Sequence, residues 1–330
     1  MKILSTLIAI SSVAAYAQDP WVVYPGGDGP GKGKHIVLLA GDEEYRSEEA
    51  MPQLGKILSQ RHGFKCTVLF SINKQTGEVD PNTADNQPGM EALESADLVI
   101  MALRFRKWPA EQAKFFVDYF NAGKPVMGLR TSTHAFQLPV LHPNKDLNDF
   151  GKKVLGEQWV SHWGRHKAEA TRGVVEPGAE NHPFLRGVEN VFGDTDVYEA
   201  YPPSDAKILM RGVVLKGMKQ DDEPADYKKK RATDKQEQVV NDPAMPIAWI
   251  RQHKHENGRT NQVFTTTMGS ATDLANEGFR RLVVNAALSL SGLEVPAKGA
   301  DVNLVGEFKP TLYGFNSFIK GVKPADHAAK

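Results

Sequence analysis

Residues 123–136, with the sequence GKPVMGLRTSTHAF, decide the fold assignment of this 330-residue chain. They are typical of a short buried strand that runs into a tight turn, which is where many α/β enzymes carry a nucleophile. Here the turn offers Arg130, followed by Ser132 and His134. A G-x-S-x-G elbow needs glycine on both sides of the serine, whereas these positions hold Arg130 and His134. The pattern therefore argues against a serine nucleophile, and Ser132 is kept only as a candidate for substrate binding.

Strands and helices alternate on both sides of this stretch. Apolar runs typical of strands buried on both faces occur at residues 35–40, 64–70, 97–103 and 125–129. Helical spacing of apolar residues follows the first and third of these runs, at residues 47–62 and 109–122. The alternation predicts an α/β fold with a mainly parallel sheet, covered on both faces and extended by irregular β elaborations after residue 136. In such sheets the ligand site lies beyond the carboxyl ends of the strands.

Composition and the N-terminal residues exclude several classes of protein. With 40 basic and 40 acidic side chains the chain has no overall field for nucleic acid, and a single cysteine, Cys66, allows no intramolecular disulfide. Residues 1–17 combine Lys2 with an apolar run and a final Ala-Tyr-Ala, which predicts a signal peptide cleaved after Ala17 and a periplasmic or secreted protein. The run is shorter than the roughly 20 residues of a membrane span, so we expect no span after cleavage.

The rest of the chain divides into three parts. We predict an N-terminal extension at 18–33, the α/β domain at 34–295 and a tail at 296–330, rich in Pro, Gly and aromatic residues, that wraps the domain. Residues 216–242 carry charges in blocks without apolar periodicity, which predicts an exposed loop. The sequence is compatible with a homo-oligomer.

Two polar clusters follow predicted strands. Residues 41–46, GDEEYR, come after the first strand, and Asp42, Glu44 and Tyr45 are candidates for contact with a sugar because carboxylates accept hydrogen bonds from hydroxyl groups. The alternative is a loop whose negative charge only favours the start of the next helix. Arg104 follows the strand at 97–103 and is the arginine of that loop that we place in the pocket; an exposed basic loop is the alternative.

Histidines and tryptophans form the last candidate group. His162 and His166 are four residues apart and could share a divalent metal, but no H-E-x-x-H pattern or fixed third ligand accompanies them. The alternative, polar lining of a pocket or ordinary hydrogen-bonded histidines, is the one we adopt, so no cofactor is predicted. Trp163, like Trp159, suits either a sugar face or the core.

Several segments in a fixed order resemble the trehalose-utilisation (ThuA-like) family of the class I glutamine amidotransferase-like superfamily. They are GDEEYR at 41–46, GLRTSTHAF at 128–136, NHPFLRG at 181–187, DTDVY at 194–198, VFTTTMGSATDL at 263–274 and GFRRLVVNAA at 278–287. The resemblance covers about residues 34–295, and the tail motif GVKPADH at 321–327 is similar to that of secreted members. It implies a three-layer, flavodoxin-like fold.

The resemblance also bears on the reaction. Amidotransferases of the superfamily carry G-x-C-x-G at the elbow, and alignment with residues 128–132 places Arg130 at the cysteine that amidotransfer requires, which excludes that reaction. The family implies a role in carbohydrate metabolism. We expect an enzyme, a hydrolase, lyase or isomerase, that acts on a sugar or keto-sugar of the 3-keto-glycoside type. Arg130 and Arg104 would then hold a carbonyl oxygen or oxyanion, while Glu44 or Asp42 and a histidine, His134 or His162, would perform the acid–base chemistry. Asp196 of the DTDVY motif joins the substrate-binding candidates, and a carbohydrate-binding protein without turnover is the alternative function.

Overall fold

The computed structural model describes residues 19–328, and the predicted signal peptide lies outside them. Within this range the chain forms fourteen β-strands, which are β1 (Trp21–Tyr24), β2 (His35–Gly41), β3 (Lys65–Phe70), β4 (Leu98–Leu103), β5 (Val126–Leu129), β6 (Ser161–His162), β7 (Thr171–Val175), β8 (Phe192–Gly193), β9 (Tyr198–Glu199), β10 (Lys207–Val214), β11 (Lys228–Lys230), β12 (Glu237–Val239), β13 (Met245–Lys254) and β14 (Thr260–Thr266). The α-helices of the same range are α1 (Ser47–His62), α2 (Ala110–Asn121), α3 (Ala271–Leu274) and α4 (Glu277–Leu290).

Ten of the described strands form one sheet in the order β1-β3-β2-β4-β5-β14-β13-β10-β7-β8. The five strands from β3 to β14 are parallel, and every other pairing in the sheet is antiparallel. The parallel part has the strand order of flavodoxin-like folds, and the antiparallel strands β13, β10, β7 and β8 extend it. The predicted fold class is therefore confirmed.

Helices cover both faces of the sheet, and successive residues of a strand therefore pack into two different cores. Ile36 and Leu38 of β2 pack in one core with side chains of α1 and α4, whereas Val37 and Leu39 pack in the other with side chains of α2. A strand that buries both faces has no polar side, which explains the continuous apolar runs in the sequence.

The parallel strands bring their carboxyl ends to one edge of the sheet. The chain leaves β2 for β3 on one side and returns to β4 on the other, so a crevice opens beyond β2 and β4. The loops after β2, β4 and β5 all open into this crevice region, and the last of them is a short 3-10 helix at Arg130–His134. The fold thus gathers the three loops that contain the sequence candidates.

One expectation about the polar parts of the chain is wrong. Residues 216–242 are not simply an exposed loop, because β11 and β12 pair as an antiparallel hairpin within them. Lys229 of the hairpin points inward, and its Nζ donates hydrogen bonds to the carbonyl oxygens of His162 (2.6 Å) and Trp163 (2.9 Å). In β11 the side chains alternate between exposed and partly buried, but this alternation is not visible in the sequence because all three residues are lysines.

The C-terminal residues lie along the domain. Tyr24 Oη of β1 donates to the carbonyl oxygen of His327 at 2.7 Å, and the Val79 amide donates to that of Val322 at 2.8 Å. The limits of the parts proposed from the sequence stay predictions. No helix among the described residues has both the length and the apolar character to cross a membrane.

Candidate functional site

A cavity of about 200 Å³ lies in the crevice. Its polar lining consists of Glu44, Arg104, His134, His162 and His166, and its aromatic lining of Phe105, Trp159, Tyr198 and Phe315. The lining thus includes four residues proposed from the sequence for catalysis or substrate binding, together with the metal candidate His166. They come from segments that are far apart in the chain, and it is the fold that brings them together.

Asp42 shapes the loop after β2 so that Glu44 lines the cavity. One oxygen of the buried Asp42 carboxylate accepts hydrogen bonds from the backbone amides of Glu44 (2.8 Å) and Tyr45 (3.0 Å), and the other accepts one from the Thr131 hydroxyl. A carboxylate that folds back onto the next amides stabilises a tight turn. Asp42 is therefore a buried residue that shapes the loop, and it is not part of the cavity lining.

Glu43 has a different partner set from Glu44. Its carboxylate forms ion pairs with Arg104 and with Arg106, where the distance from Arg106 Nη2 to Glu43 Oε2 is 3.0 Å. Burial and the neighbouring Asp42 raise the pKa of Glu43, and the two guanidinium groups oppose that shift. Glu43 thereby fixes Arg104, whose guanidinium carbon lies 4.6 Å from the ring centroid of Phe105 and 5.0 Å from that of Phe315.

Arg130 occupies the elbow but does not line the cavity. Its side chain is 1% exposed. Nη1 donates to the carbonyl oxygens of Asp196 and Thr267, both at 2.8 Å, and Nη2 donates to Tyr45 Oη and Asp196 Oδ1, both at 3.0 Å. The guanidinium also lies over the Tyr198 ring, with its carbon 3.8 Å from the centroid. Arg130 therefore holds Asp196 and Tyr45 in place from below the cavity.

Asp196 in turn orients the two neighbouring histidines. Its Oδ2 lies 2.8 Å from Nδ1 of His162 and its Oδ1 lies 3.0 Å from Nδ1 of His166. His166 also reaches the cavity carboxylate, since its Nε2 is 3.2 Å from Glu44 Oε1. The result is a continuous chain of contacts from Arg130 through Asp196 and His166 to Glu44.

The charges of these groups follow from their contacts. Hydrogen bonds to Asp196 and Glu44 raise the pKa of His166 to about 9, so that the ring is protonated at neutral pH. Burial alone would favour the neutral acid in Asp196, but Arg130 and the two histidines hold the pKa of that carboxyl well below its usual range. His134 is the opposite case, because burial and the charge of Arg104 lower its pKa to about 3 and keep it neutral.

Two other sequence candidates lie outside the cavity. Ser132 is completely buried, and its hydroxyl donates to the Met101 carbonyl oxygen at 2.7 Å and accepts from the Leu103 amide at 3.3 Å. Trp163 is also fully buried, and its Nε1 donates to the Val240 carbonyl oxygen at 2.7 Å. Both side chains are therefore part of the protein interior and do not line the cavity.

A comparison with protein families identifies the relatives of this chain. The family model ThuA, described as trehalose utilisation, matches residues 36–288. The chain belongs to the ThuA family. This membership connects the protein with a carbohydrate-related function, as the resemblance implied. None of the curated proteins matches the sequence.

Solved structures provide a second comparison. The chain is similar to a ThuA-like protein from Parabacteroides merdae, with 13% identity, 86% of this chain and 98% of that chain covered, and a TM-score of 0.50. It is also similar to the mmIFT52 N-terminal domain, with 13% identity, coverages of 78% and 97%, and a TM-score of 0.37. A third is exo-β-1,4-mannosidase Op5Man5 from Opitutaceae bacterium strain TAV5, with 10% identity, coverages of 78% and 34%, and a TM-score of 0.28. At these identities the first likeness shows the fold alone, and the other two carry no argument.

Sequence reasoning missed part of the lining of this ThuA-like protein. Phe105 follows Arg104 directly and could have been proposed with it. Tyr198 lies within the DTDVY motif, two residues after Asp196, so the motif itself was the signal. Phe315 belongs to the irregular tail, where nothing in the pattern indicated a cavity. Trp159, weighed together with Trp163, is the tryptophan that the structure brings to the cavity.

Proposed function

We propose that this ThuA-like protein is a carbohydrate-active enzyme that acts on a sugar or keto-sugar, of the 3-keto-glycoside type, by acid–base chemistry. The observation that carries the proposal is the position of His166, which contacts Glu44 at the cavity wall and the buried Asp196 behind it. An imidazolium held on one side by a buried carboxylate has a fixed ring orientation, and its proton on the cavity side is the one that a general acid can donate. Family membership supports a carbohydrate ligand, and the lining of carboxylate, guanidinium and aromatic groups suits one.

Each polar residue has a separate part in the proposed reaction. Glu44 and His166 transfer a proton to or from the carbon or hydroxyl group next to the sugar carbonyl. Arg104, fixed by Glu43, stabilises negative charge on the substrate oxygen. His162, which Asp196 holds in the same way as His166, provides a second proton-transfer group. Arg130 and Asp42 act as positioning residues, because both side chains are buried outside the lining, where Arg130 holds Asp196 and Tyr45 and Asp42 holds the turn after β2.

Time-dependent product formation tests this proposal. The protein is incubated with a panel of glycosides that includes 3-keto-glucosides, and products are followed by mass spectrometry. Glu44→Gln and His166→Gln should each lower kcat by about 100-fold or more. Glu91→Gln and His253→Gln change a carboxylate and an imidazole outside the cavity and should leave turnover unchanged. Equal turnover in all four variants would remove the proposed roles of Glu44 and His166.

The alternative is a carbohydrate-binding protein without turnover. The partly exposed rings of Trp159 (37% exposed) and Phe315 (54% exposed) favour it, because such rings bind sugars without any chemistry. Sugar binding without a new product over the whole panel would establish this alternative.

A metal-dependent hydrolase is a second candidate. One ligand atom each from His162, His166 and Asp196 lies within 4.8 Å of the others, and nitrogen and oxygen ligands of this kind suit Zn²⁺. Elemental analysis of protein purified without added metal or an affinity tag tests it. About one metal ion per chain would replace the acid–base role of the two histidines, and a metal-free preparation that is active would exclude this candidate.

Export to the periplasm or medium is part of the proposal and rests on residues 1–17 of the sequence. N-terminal sequencing of the protein from its natural host should begin at Gln18. A chain that retains Met1 would contradict it.

A further inference from the structure

The C-terminal tail contributes an aromatic residue to the cavity, although it lies outside the part that the family model matches. That match ends at residue 288, whereas the contributing segment is residues 311–317, which we name the strap. Phe315 of the strap is one of the cavity-lining residues. The outer part of this cavity is therefore not a property of the family domain alone.

The strap is fixed on both sides of Phe315. Before it, the Thr311 amide donates to Glu49 Oε2 at 2.7 Å, the Gly314 amide donates to the Glu44 carbonyl oxygen at 2.8 Å, and Tyr313 Oη donates to the Asp194 carbonyl oxygen at 2.8 Å. After it, Asn316 Oδ1 accepts from Asn82 Nδ2 at 3.3 Å. These hydrogen bonds restrict the strap on both sides of Phe315 and hold that residue beside the cavity.

The ring of Phe315 is held beside the cavity without being buried. The residue is 54% exposed, and Trp159 of the same lining is 37% exposed, whereas Tyr198 and the carboxylate-bearing Glu44 are buried. The cavity itself, at about 200 Å³, is smaller than the roughly 300–1,000 Å³ of sites for drug-sized ligands, so it suits one sugar ring. Trp159 and Phe315 are therefore the exposed rings of the lining, open to contact with a part of the ligand that lies outside the cavity.

We infer that Phe315 and Trp159 form an outer subsite that binds the second sugar ring or the aglycone of a glycoside whose first ring occupies the cavity. The inference rests on the proposed function, because it assigns the size and class of the substrate of that same site. Aromatic side chains bury a large apolar area, and only two side-chain torsions are fixed when they bind. They therefore suit contact with the apolar face of a second sugar ring.

Isothermal titration with a one-ring and a two-ring probe tests the inference. Methyl α-glucoside and trehalose are titrated into the full chain, and trehalose should bind more tightly. Phe315→Ala should weaken trehalose binding by about tenfold and methyl α-glucoside binding by a smaller factor, because the ring also lies 5.0 Å from the guanidinium carbon of Arg104. Phe315→Trp, which keeps an aromatic face, should retain the preference for trehalose.

Leu312→Ala is the matched control. Leu312 lies on the same strap and is 62% exposed, and its replacement should leave the affinity for both sugars unchanged. An equal loss of both affinities in Phe315→Ala, or no loss of either, would overturn the outer subsite while leaving the proposed function intact. Binding of neither sugar by the unaltered protein, nor of any glycoside in the turnover panel, would overturn the proposed function and the subsite with it.

Discussion

Arg130 and Asp196 form a buried ion pair. The two side chains are 1% and 0% exposed, and Nη2 of Arg130 lies 3.0 Å from Oδ1 of Asp196. Removal of one member of a buried pair leaves the other charge uncompensated. Arg130→Met should therefore lower the free energy of unfolding by about 3–5 kcal/mol, measured by urea denaturation.

A double-variant cycle separates this effect from loss of packing. Arg130→Met/Asp196→Asn removes both charges, and its loss of stability should be smaller than the sum of the two single losses. Additive losses would mean that the two groups do not stabilise each other. Unaltered turnover in a folded Arg130→Met protein would also remove the positioning role of Arg130.

His134 should make the stability of the protein depend on pH. Its pKa in the folded protein is lowered from 6.5 to about 3, with burial as the largest cause and Arg104 next. Between these values the unfolded chain binds a proton that the folded chain does not, so stability falls as the pH decreases from about 6.5 toward 3. At pH 5 this one group costs about 2 kcal/mol relative to pH 7.5.

Replacement of His134 by a residue that does not titrate tests this expectation. Urea denaturation at pH 7.5 and pH 5.0 should show a smaller acid-induced loss of stability in His134→Gln than in the unaltered protein. Part of the loss should remain, because burial also lowers the pKa values of His35 and His182, each to about 4. An equal loss in both proteins would mean that His134 titrates normally in the fold.

The sequence places Arg130 at the elbow, yet its burial could not be predicted. Arginine is rarely buried unless it is paired, and the paired carboxylate lies 66 residues further along the chain. The contact between Glu44 and His166 likewise depends on a crevice that forms only when β2 and the segment after β6 meet. Pairings of this kind depend on tertiary structure, which local patterns do not contain.

At the scale of elements, predictability depends on length and burial. Strands β2, β3, β4 and β5 form part of a sheet buried on both faces, so each leaves a continuous apolar run in the sequence. Strands β6 and β9 have two residues each, too few for any period to be visible. In β11 all three residues are lysines, and only Lys229 turns inward, so residue type did not distinguish the two faces of the hairpin.

The strap should be released when its first anchor is weakened. Thr311 places its amide and hydroxyl 2.7 and 2.5 Å from the two carboxylate oxygens of Glu49 on α1. Hydrogen bonds to a charged acceptor are about twice as strong as neutral ones, and Glu49→Gln removes that charge. We expect faster amide hydrogen exchange in residues 311–317, measured by mass spectrometry, with α1 still protected.

Glu307→Gln is the control for this prediction. Glu307 is a carboxylate of the same tail whose partner is the exposed Lys309, and its replacement should leave exchange in the strap unchanged. Equal exchange in the Glu49→Gln and unaltered proteins would mean that the other strap contacts are sufficient.

On the scale of the whole molecule, the cavity depends on the sheet and the tail together. The parallel strands supply Glu44, Arg104 and His134 at one edge, the separate pair of β6 and β9 contributes His162 and Tyr198, and the strap adds Phe315. The central sheet could be predicted from its apolar periodicity. The position of the tail could not, because its residues form contacts only with surfaces that the folded domain creates.

Removal of the tail measures how far the domain depends on it. Val302 and Tyr313 are each 2% exposed, and the Ala300 amide donates to Asn285 Oδ1 of α4 at 2.9 Å. Burial of two such side chains contributes about 2 kcal/mol each, so a chain that ends at residue 295 should lose about 6 °C in its thermal midpoint. A shorter deletion of residues 318–330, which keeps the strap and both buried side chains, should lose less. The midpoints are measured by circular dichroism, and an unchanged midpoint in the longer deletion would mean that the domain is stable without its tail.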